Sequence, residues 1–93
     1  MSLPPIELLE SRHTFPGPYT IKVIGKAGDN FLARIIAAVR DELRLDVDPP
    51  MELKTTKGGR HVSITLEPQV QTPQQVLALY SRLSQTTGLV MLL

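Results

Sequence analysis

Few residues of this chain could carry chemistry, and their spacing does not bring them together. The two histidines, His13 and His61, lack a second histidine or a carboxylate at the spacing of a metal site. Asp46 and Asp48 form one acidic pair, which is typical of a solvated loop. No serine has the histidine or lysine signature that would activate it, and the chain has no cysteine. We therefore predict that the protein is not an enzyme and has no catalytic residue, metal site or cofactor.

A glycine-containing loop is the first candidate binding site. Gly25 and Gly28 interrupt an alternating apolar pattern, and Asp29 follows at a position suited to the N-cap of a helix. Because backbone N–H groups at a helix N-terminus attract anions, we take Gly25, Gly28, Asp29 and Asn30 as candidate ligand-binding residues. Gly28 would let the backbone approach a ligand, and Asp29 would cap the helix and orient the loop. The alternative is a plain glycine turn followed by an N-cap.

The second candidate site is basic. Lys54, Lys57 and Arg60 cluster around Gly58 and Gly59, a pair that is typical of a tight hairpin turn. Three cations at one hairpin could hold an anion or a phosphate group. The alternative is a charged tip that keeps an edge strand from pairing with other chains.

Length and charge narrow the range of functions. The 93 residues suffice for one domain, and ten Lys and Arg against nine Asp and Glu leave a net charge of +1. This balance argues against nucleic-acid binding by bulk charge and against a polybasic membrane-surface protein. The chain is 42% apolar, has no apolar run near the ~18 residues of a membrane span, and opens without a signal peptide. We expect a globular cytoplasmic protein.

Periodicity predicts the elements that position these residues. Alternation of apolar and polar residues predicts three strands, and an apolar run predicts a fourth, over residues 19–26, 51–57, 60–67 and 89–93. Helical spacing predicts two helices, over 30–44 and 72–85. The second helix opens with Thr72 as N-cap, Pro73 in the first position and Gln75 closing a capping box. This order predicts an α+β, ferredoxin-like βαββαβ sandwich with an antiparallel four-stranded sheet (order 4-1-3-2) and two helices on one face.

Prolines mark an arm ahead of the domain. Four prolines within the first eighteen residues exclude a central strand or a long helix there. We therefore predict an N-terminal arm over residues 1–18 and the ferredoxin-like domain over 19–93. One helical turn within the arm would place Leu8 and Leu9 against the domain.

The surfaces left open by this fold suggest which partners it could take. The sheet face away from the helices would carry mostly polar residues: Thr20, Lys22, Ile24, Lys54, Thr56, Ser63 and Thr65. RNA-recognition modules stack bases on aromatic residues of such a face, and here only Tyr19 is available, so we do not expect a nucleic-acid partner. We predict a homodimer, because the apolar last strand would lie at a sheet edge, which invites a second copy. The open sheet face lacks dense charge, so either the edge or this face could form the dimer.

Several segments resemble the YbeD-like family of small bacterial proteins of unknown function. The most specific is FPGPYTIKVIG at 15–25, and the others are LLE at 8–10, KG at 57–58, HVSIT at 61–65, parts of 75–83, and VMLL at 90–93. The resemblance implies a ferredoxin-like domain similar to ACT regulatory modules, and a regulatory link to lipoate metabolism that has been suggested for the family. It supplies no catalytic residue. Residues 11–14 look like an insertion relative to the family, and no lipoyl-lysine motif is present.

Together these observations favour a non-enzymatic, ACT-like regulatory module that binds a small-molecule effector or a protein partner. A ligand at residues 25–30, at or near a dimer interface, would stabilise one assembly over another. The alternative is a protein-interaction module without a ligand pocket, and an RNA-binding domain ranks below both. We expect no association with membranes.

Overall fold

The computed structural model describes residues 5–93, and the predictions for the first four residues of the arm lie outside this range. The elements within it follow in the order α1 (Ile6–Arg12), β1 (Gly17–Pro18), β2 (Ile21–Lys26), α2 (Phe31–Leu43), β3 (Met51–Thr55), β4 (His61–Leu66), β5 (Gln69–Val70), α3 (Pro73–Ser84) and β6 (Leu89–Leu92).

The main sheet has four strands in the order β3-β4-β2-β6. β2 pairs antiparallel with β4 on one side and with β6 on the other, and β3 pairs antiparallel with β4. The helices α2 and α3 contact each other and bury their apolar sides in the same core as the sheet. The predicted α+β, ferredoxin-like fold is confirmed.

The core lies between one face of the sheet and the two long helices. Ile21 and Val23 of β2 alternate with exposed or half-buried neighbours, and Ile64 and Leu66 of β4 do the same. The helices contribute Phe31, Ile35, Val39, Val76, Leu79 and Leu83, all at most 1% exposed. Each such side chain stabilises the fold by about 1.5–3 kcal/mol through burial. Leu77 and Tyr80 of α3 are only partly buried and pack against this core.

The described part of the arm packs on the domain. α1 extends over almost two helical turns and buries Leu9 (3% exposed), while Leu8 remains 40% exposed, so only one of the two expected leucines joins the core. Gly17 and Pro18 form the short strand β1, which pairs antiparallel with β5. This two-stranded pairing is a feature that the sequence patterns did not predict, because two-residue strands carry no periodicity.

Local hydrogen bonds set the start of α3. The Thr72 side chain accepts a hydrogen bond from the Gln75 backbone N–H at 3.2 Å, and Pro73 occupies the first helical position, as predicted. The side-chain Oε1 of Gln75 accepts from the backbone N–H of Gln71 at 2.7 Å. The reciprocal bond of the capping box therefore reaches one residue farther back than the standard motif, in which it would end on Thr72.

Candidate functional site

The loop between β2 and α2 is a tight left-handed turn. The carbonyl of Gly28 accepts a hydrogen bond from the Phe31 N–H at 3.1 Å, and between them Asp29 and Asn30 have φ values of 51° and 59°. Gly28 itself has φ 88°, which only glycine adopts without strain. We refer to residues 28–31 as the β2–α2 turn.

The prediction that Asp29 caps α2 is wrong. The N-cap position belongs to Asn30, and no side chain makes a cap hydrogen bond there. A capping side chain needs an extended backbone at the N-cap so that its oxygen can reach back to the first-turn N–H groups. Both Asp29 and Asn30 have a left-handed backbone, so the geometry of a capping residue is lost. The carbonyl of Asp29 instead accepts a hydrogen bond from the Nη1 of Arg34.

Gly25 has a packing role that its sequence position did not reveal. A Cβ placed on Gly25 would lie 2.2 Å from two ring carbons of Phe31, because that ring lies directly over the β2 backbone. Gly88, directly before β6, borders the same ring, and a Cβ placed on it would be 3.1 Å from Phe31 Cδ1. Gly25 therefore makes room for a core side chain rather than for a ligand.

A groove of about 270 Å³ opens beside the β2–α2 turn. It is lined by Ala27, Gly28, Asn30, Phe31, Leu32, Thr55 and Val62, and we call it the loop groove. Two of the predicted ligand residues, Gly28 and Asn30, line it, whereas Gly25 and Asp29 do not. Thr55 and Val62, which the sequence analysis did not select, are register partners in β3 and β4, so strand pairing could have placed them there.

The electrostatics of the loop groove come from the start of α2. The first-turn N–H groups of Leu32 and Ala33 have no partner within the helix, and the first turn contains no acidic residue. The partial positive charge of the helix N-terminus is therefore not offset by a carboxylate in that turn. Apolar walls from Phe31, Leu32 and Val62 lie beside this polar end. Such a groove can accept a small molecule that has both an anionic or polar group and an apolar part.

Arg34 links the β2–α2 turn to the segment before β6. Its Nη1 donates to the carbonyl of Asp29, and its Nη2 and Nε donate to the carbonyl of Thr87 at 3.0 and 3.3 Å. Thr87 is followed by Gly88, whose carbonyl accepts from the Lys26 N–H at 2.9 Å. One side chain thus joins two loops that are 58 residues apart between Asp29 and Thr87.

The basic residues of the hairpin are not gathered into a site. The side chains of Lys54, Lys57 and Arg60 are all exposed, and within residues 5–93 none of these side chains makes a hydrogen bond or ion pair. Gly58 and Gly59 have φ values of 93° and 72°, as expected for this turn. Nothing in this geometry fixes the three cations around a common point.

A larger open groove of about 600 Å³ lies along α2 and was not predicted. It is lined by Ala33, Ile36, Ala37, Arg40, Asp41 and Leu45. The guanidinium of Arg40 is already bonded to Asp48 Oδ1 at 3.1 Å and to the carbonyl of Asp46 at 2.8 Å. The main hydrogen-bond donor of this groove, the Arg40 guanidinium, is therefore bound to the loop after α2 rather than free for a ligand.

The two edges of the sheet differ in character. β3 carries Glu52 and Lys54 and follows two prolines, whereas β6 and Leu93 after it have no charged side chain. Lys22 and Leu93 exchange two backbone hydrogen bonds, at 3.1 and 2.8 Å. The N–H and C=O of Leu92 therefore point away from β2, toward the open edge.

The open face is apolar on its β6 side. Met91 is the register partner of Ile24, and Leu93 lies opposite Lys22, so these side chains share the face opposite the helices. Met91 is 46% and Leu93 59% exposed. We call the edge of β6, with Met91 and Leu93, the β6 surface.

The aromatic residues near the first strand do not lie on the open face. Tyr19 is 8% exposed and contacts the rings of His13 and Tyr80, with centroids 4.7 and 6.3 Å away. Burial raises the pKa of Tyr80 far above its ordinary value, and the neighbouring Tyr19 side chain raises it further. Tyr19 is thus a core residue and does not form a stacking platform for bases.

Within residues 5–93, no group of three or more His, Asp or Glu side chains is placed to hold a metal ion. In the same range, no helix has the length and apolar character to cross a membrane. The fold and the loop groove define a small ferredoxin-like α+β module whose open site is built from backbone, amide and apolar groups.

Comparison with known proteins assigns this module to a family. Residues 10–93 match the family described as "Protein of unknown function (DUF493)", and the chain belongs to that family. A UPF0250 protein of Shewanella piezotolerans (strain WP3 / JCM 13877) is 30% identical over 82 residues, covering 88% of this chain and 86% of the relative. A UPF0250 protein of Shewanella sediminis (strain HAW-EB3) is 33% identical with the same coverage. The expected membership of the YbeD-like family is confirmed.

Proposed function

We propose that the protein is a non-enzymatic regulatory module that binds a small-molecule effector in the loop groove. The observation that carries this proposal is the groove itself, about 270 Å³ in volume, which places Gly28 and Asn30 beside the N-terminus of α2. The scarcity of convergent titratable side chains around it supports a binding role over catalysis. We further propose that the protein acts in the cytoplasm.

The lining favours a small molecule with two chemical parts. Backbone N–H groups at the start of α2 suit a carboxylate or phosphate, because they supply donors and a partial positive charge. Phe31, Leu32 and Val62 suit an aliphatic or ring portion. Amino acids, lipoate and nucleotides are therefore the classes to test first.

A population shift would turn binding into regulation. A ligand that fits one arrangement of the β2–α2 turn better than another favours the assembly in which that arrangement occurs. A homodimer formed through the β6 surface is the assembly that we propose. Its strand carries no charged side chain, so a symmetric antiparallel pairing would place no like-charged side chains opposite each other.

A thermal-shift screen with amino acids, lipoate and nucleotides at millimolar concentration tests the effector proposal. We expect one class to raise the melting temperature. With an anionic hit, Asn30→Asp should abolish the rise, because it adds a carboxylate to the groove. The matched control is Gln74→Glu, the same amide-to-acid change in the first turn of α3, which should leave the rise unchanged. The absence of a shift with every class, or an equal shift in Asn30→Asp, would refute the loop groove as the site.

A second candidate function is protein interaction through the β6 surface without any effector. It is favoured by the uncharged open edge and by the exposed Met91 and Leu93 beside it. Light scattering and a pull-down from a native extract would compare Met91→Lys with Leu53→Lys. The two side chains are 46% and 47% exposed, and Leu53 lies on the opposite edge strand, so it is a matched control.

The outcomes separate the two functions. A dimer that one metabolite stabilises supports effector sensing. A monomer that captures one protein, loses it in Met91→Lys but not in Leu53→Lys, and shifts with no metabolite supports interaction alone. Binding to RNA, recognised by an affinity that falls steeply with salt, would contradict both.

A further inference from the structure

We propose that Arg34 couples the β2–α2 turn to the start of β6, so that a change in the loop groove alters the sheet edge. Arg34 is a positioning residue in this account, since it acts through the backbone of both segments. The regulatory meaning of the coupling rests on the proposed function. The coupling itself can be measured without any ligand.

The hydrogen bonds of Arg34 are the first argument. Its guanidinium spans the carbonyls of Asp29 and Thr87, one in the turn and one directly before Gly88. A guanidinium presents its donors in a rigid planar fork, so it fixes the two carbonyls relative to each other. Neither carbonyl can move without breaking or redirecting part of this bridge.

The packing of Phe31 is the second argument, and it is independent of the first. The Phe31 N–H closes the β2–α2 turn on Gly28, while its ring is the nearest neighbour of both Gly25 and Gly88. A shift of the turn therefore moves the ring, and the ring fills the space between β2 and the start of β6. This contact transmits displacement sterically, whereas Arg34 transmits it through hydrogen bonds.

The pairing between β2 and β6 has its irregularity at this same point. The register shifts between Ile24 and Gly25, so that Ile24 pairs with Met91 and Gly25 with Leu89. The extra residue, Val90, is 52% exposed at the open edge. A bulge locally disrupts the hydrogen bonds between the paired strands. This part of the sheet edge can therefore follow a displacement of the β2–α2 turn more easily than a regular strand could.

Amide hydrogen exchange provides the test. Gly28→Ala perturbs the turn through its φ of 88°, and Gly58→Ala is the matched control, with φ 93° in the hairpin between β3 and β4. At both positions a new Cβ would meet no atom within 4 Å, so strain is confined to the backbone. A left-handed alanine costs about 1–2 kcal/mol, which corresponds to roughly a five- to thirty-fold change in local opening.

The readouts are the amides of Lys26 and Leu93, which bond across the β2–β6 pairing. We expect Gly28→Ala to speed their exchange at least about fivefold more than Gly58→Ala does. In an Arg34→Met background the excess caused by Gly28→Ala should fall by at least about half, and the remainder is the part that the Phe31 contact transmits. Arg34→Lys should lower the excess as well, because one ammonium cannot bridge two carbonyls as a guanidinium fork does.

Each possible result supports or overturns the proposed coupling. If Gly28→Ala and Gly58→Ala speed the exchange of Lys26 and Leu93 equally, the turn and β6 are not coupled. If the excess is undiminished in Arg34→Met, coupling exists but Arg34 does not carry it, and the proposal is overturned. A failure of the effector screen alongside a positive exchange result would reject the proposed function and leave the coupling intact. Double-mutant comparison is required because proximity alone does not establish coupling.

Discussion

Replacing Gly25 with alanine tests the account of the loop most sharply, because sequence and structure assign this residue different roles. The sequence places Gly25 among ligand-binding residues. The structure places its Cα under the ring of Phe31, where an added Cβ would lie 2.2 Å from two ring carbons. Carbon atoms prefer a separation of about 3.5–4.0 Å, so the new methyl group would overlap the ring by more than about 1 Å.

The ring of Phe31 cannot easily move to remove this overlap. Phe31 is 1% exposed and lies at the start of α2, and its ring also borders Gly88, so it cannot turn toward solvent without opening the core. Overpacking of a close-packed core costs about 1–3 kcal/mol, and we expect Gly25→Ala to fall at the upper end. For a domain of this size, about 3 kcal/mol lowers the melting temperature by roughly 12–24 °C.

Urea unfolding, followed by circular dichroism, measures the free energy of unfolding of wild type, Gly25→Ala, Phe31→Leu and the double variant. We expect the midpoint of Gly25→Ala to fall by about 1–3 M, given a slope of about 1–3 kcal/mol/M. Phe31→Leu removes the clashing ring carbons, so Gly25→Ala should cost less than about 1 kcal/mol in that background. An equal cost in both backgrounds, or a cost near zero in wild type, would refute the packing role of Gly25.

Two further predictions concern other parts of the fold. Thr72→Ala should lower the free energy of unfolding by about 1 kcal/mol in thermal or urea unfolding, since it removes the acceptor for the Gln75 N–H, whereas Thr72→Ser should retain most of it. The pKa of Tyr80 is raised in the folded state, so above about pH 10 the unfolded chain loses this proton while the folded protein keeps it, and stability falls as pH rises. Tyr80→Phe should make that alkaline decline shallower, and an identical pH profile would contradict the assigned direction.

Periodicity and cap signals predicted most of the regular structure. The alternation in β2 and β4, the glycine hairpin and the proline-led start of α3 each reflect local chemistry, so they could be recognised in the chain alone. The element ends differ by at most two residues: the first long strand begins at Ile21 rather than at Tyr19. Tyr19 instead donates its N–H to the carbonyl of Pro68, a partner brought close only by the tertiary fold.

The site was predicted less completely, for a physical reason. Gly28 and Asn30 border the loop groove, but the capping role of Asp29 failed because the sequence does not reveal a left-handed backbone at two successive non-glycine residues. Gly25 was assigned to a ligand because the residue that needs its missing Cβ, Phe31, is identified only by packing. No sequence motif identifies Arg34, because its hydrogen-bond partners are backbone carbonyls.

The most direct test of the central claim is a heteronuclear NMR titration of the ¹⁵N-labelled protein with the amino acids, lipoate and nucleotides of the screen. If the loop groove is an effector site, one of these classes should shift the amides of Gly28, Asn30, Leu32 and Val62 in a saturable manner. Saturable shifts confined to other surfaces, or no saturable shift up to millimolar concentration, would contradict the claim.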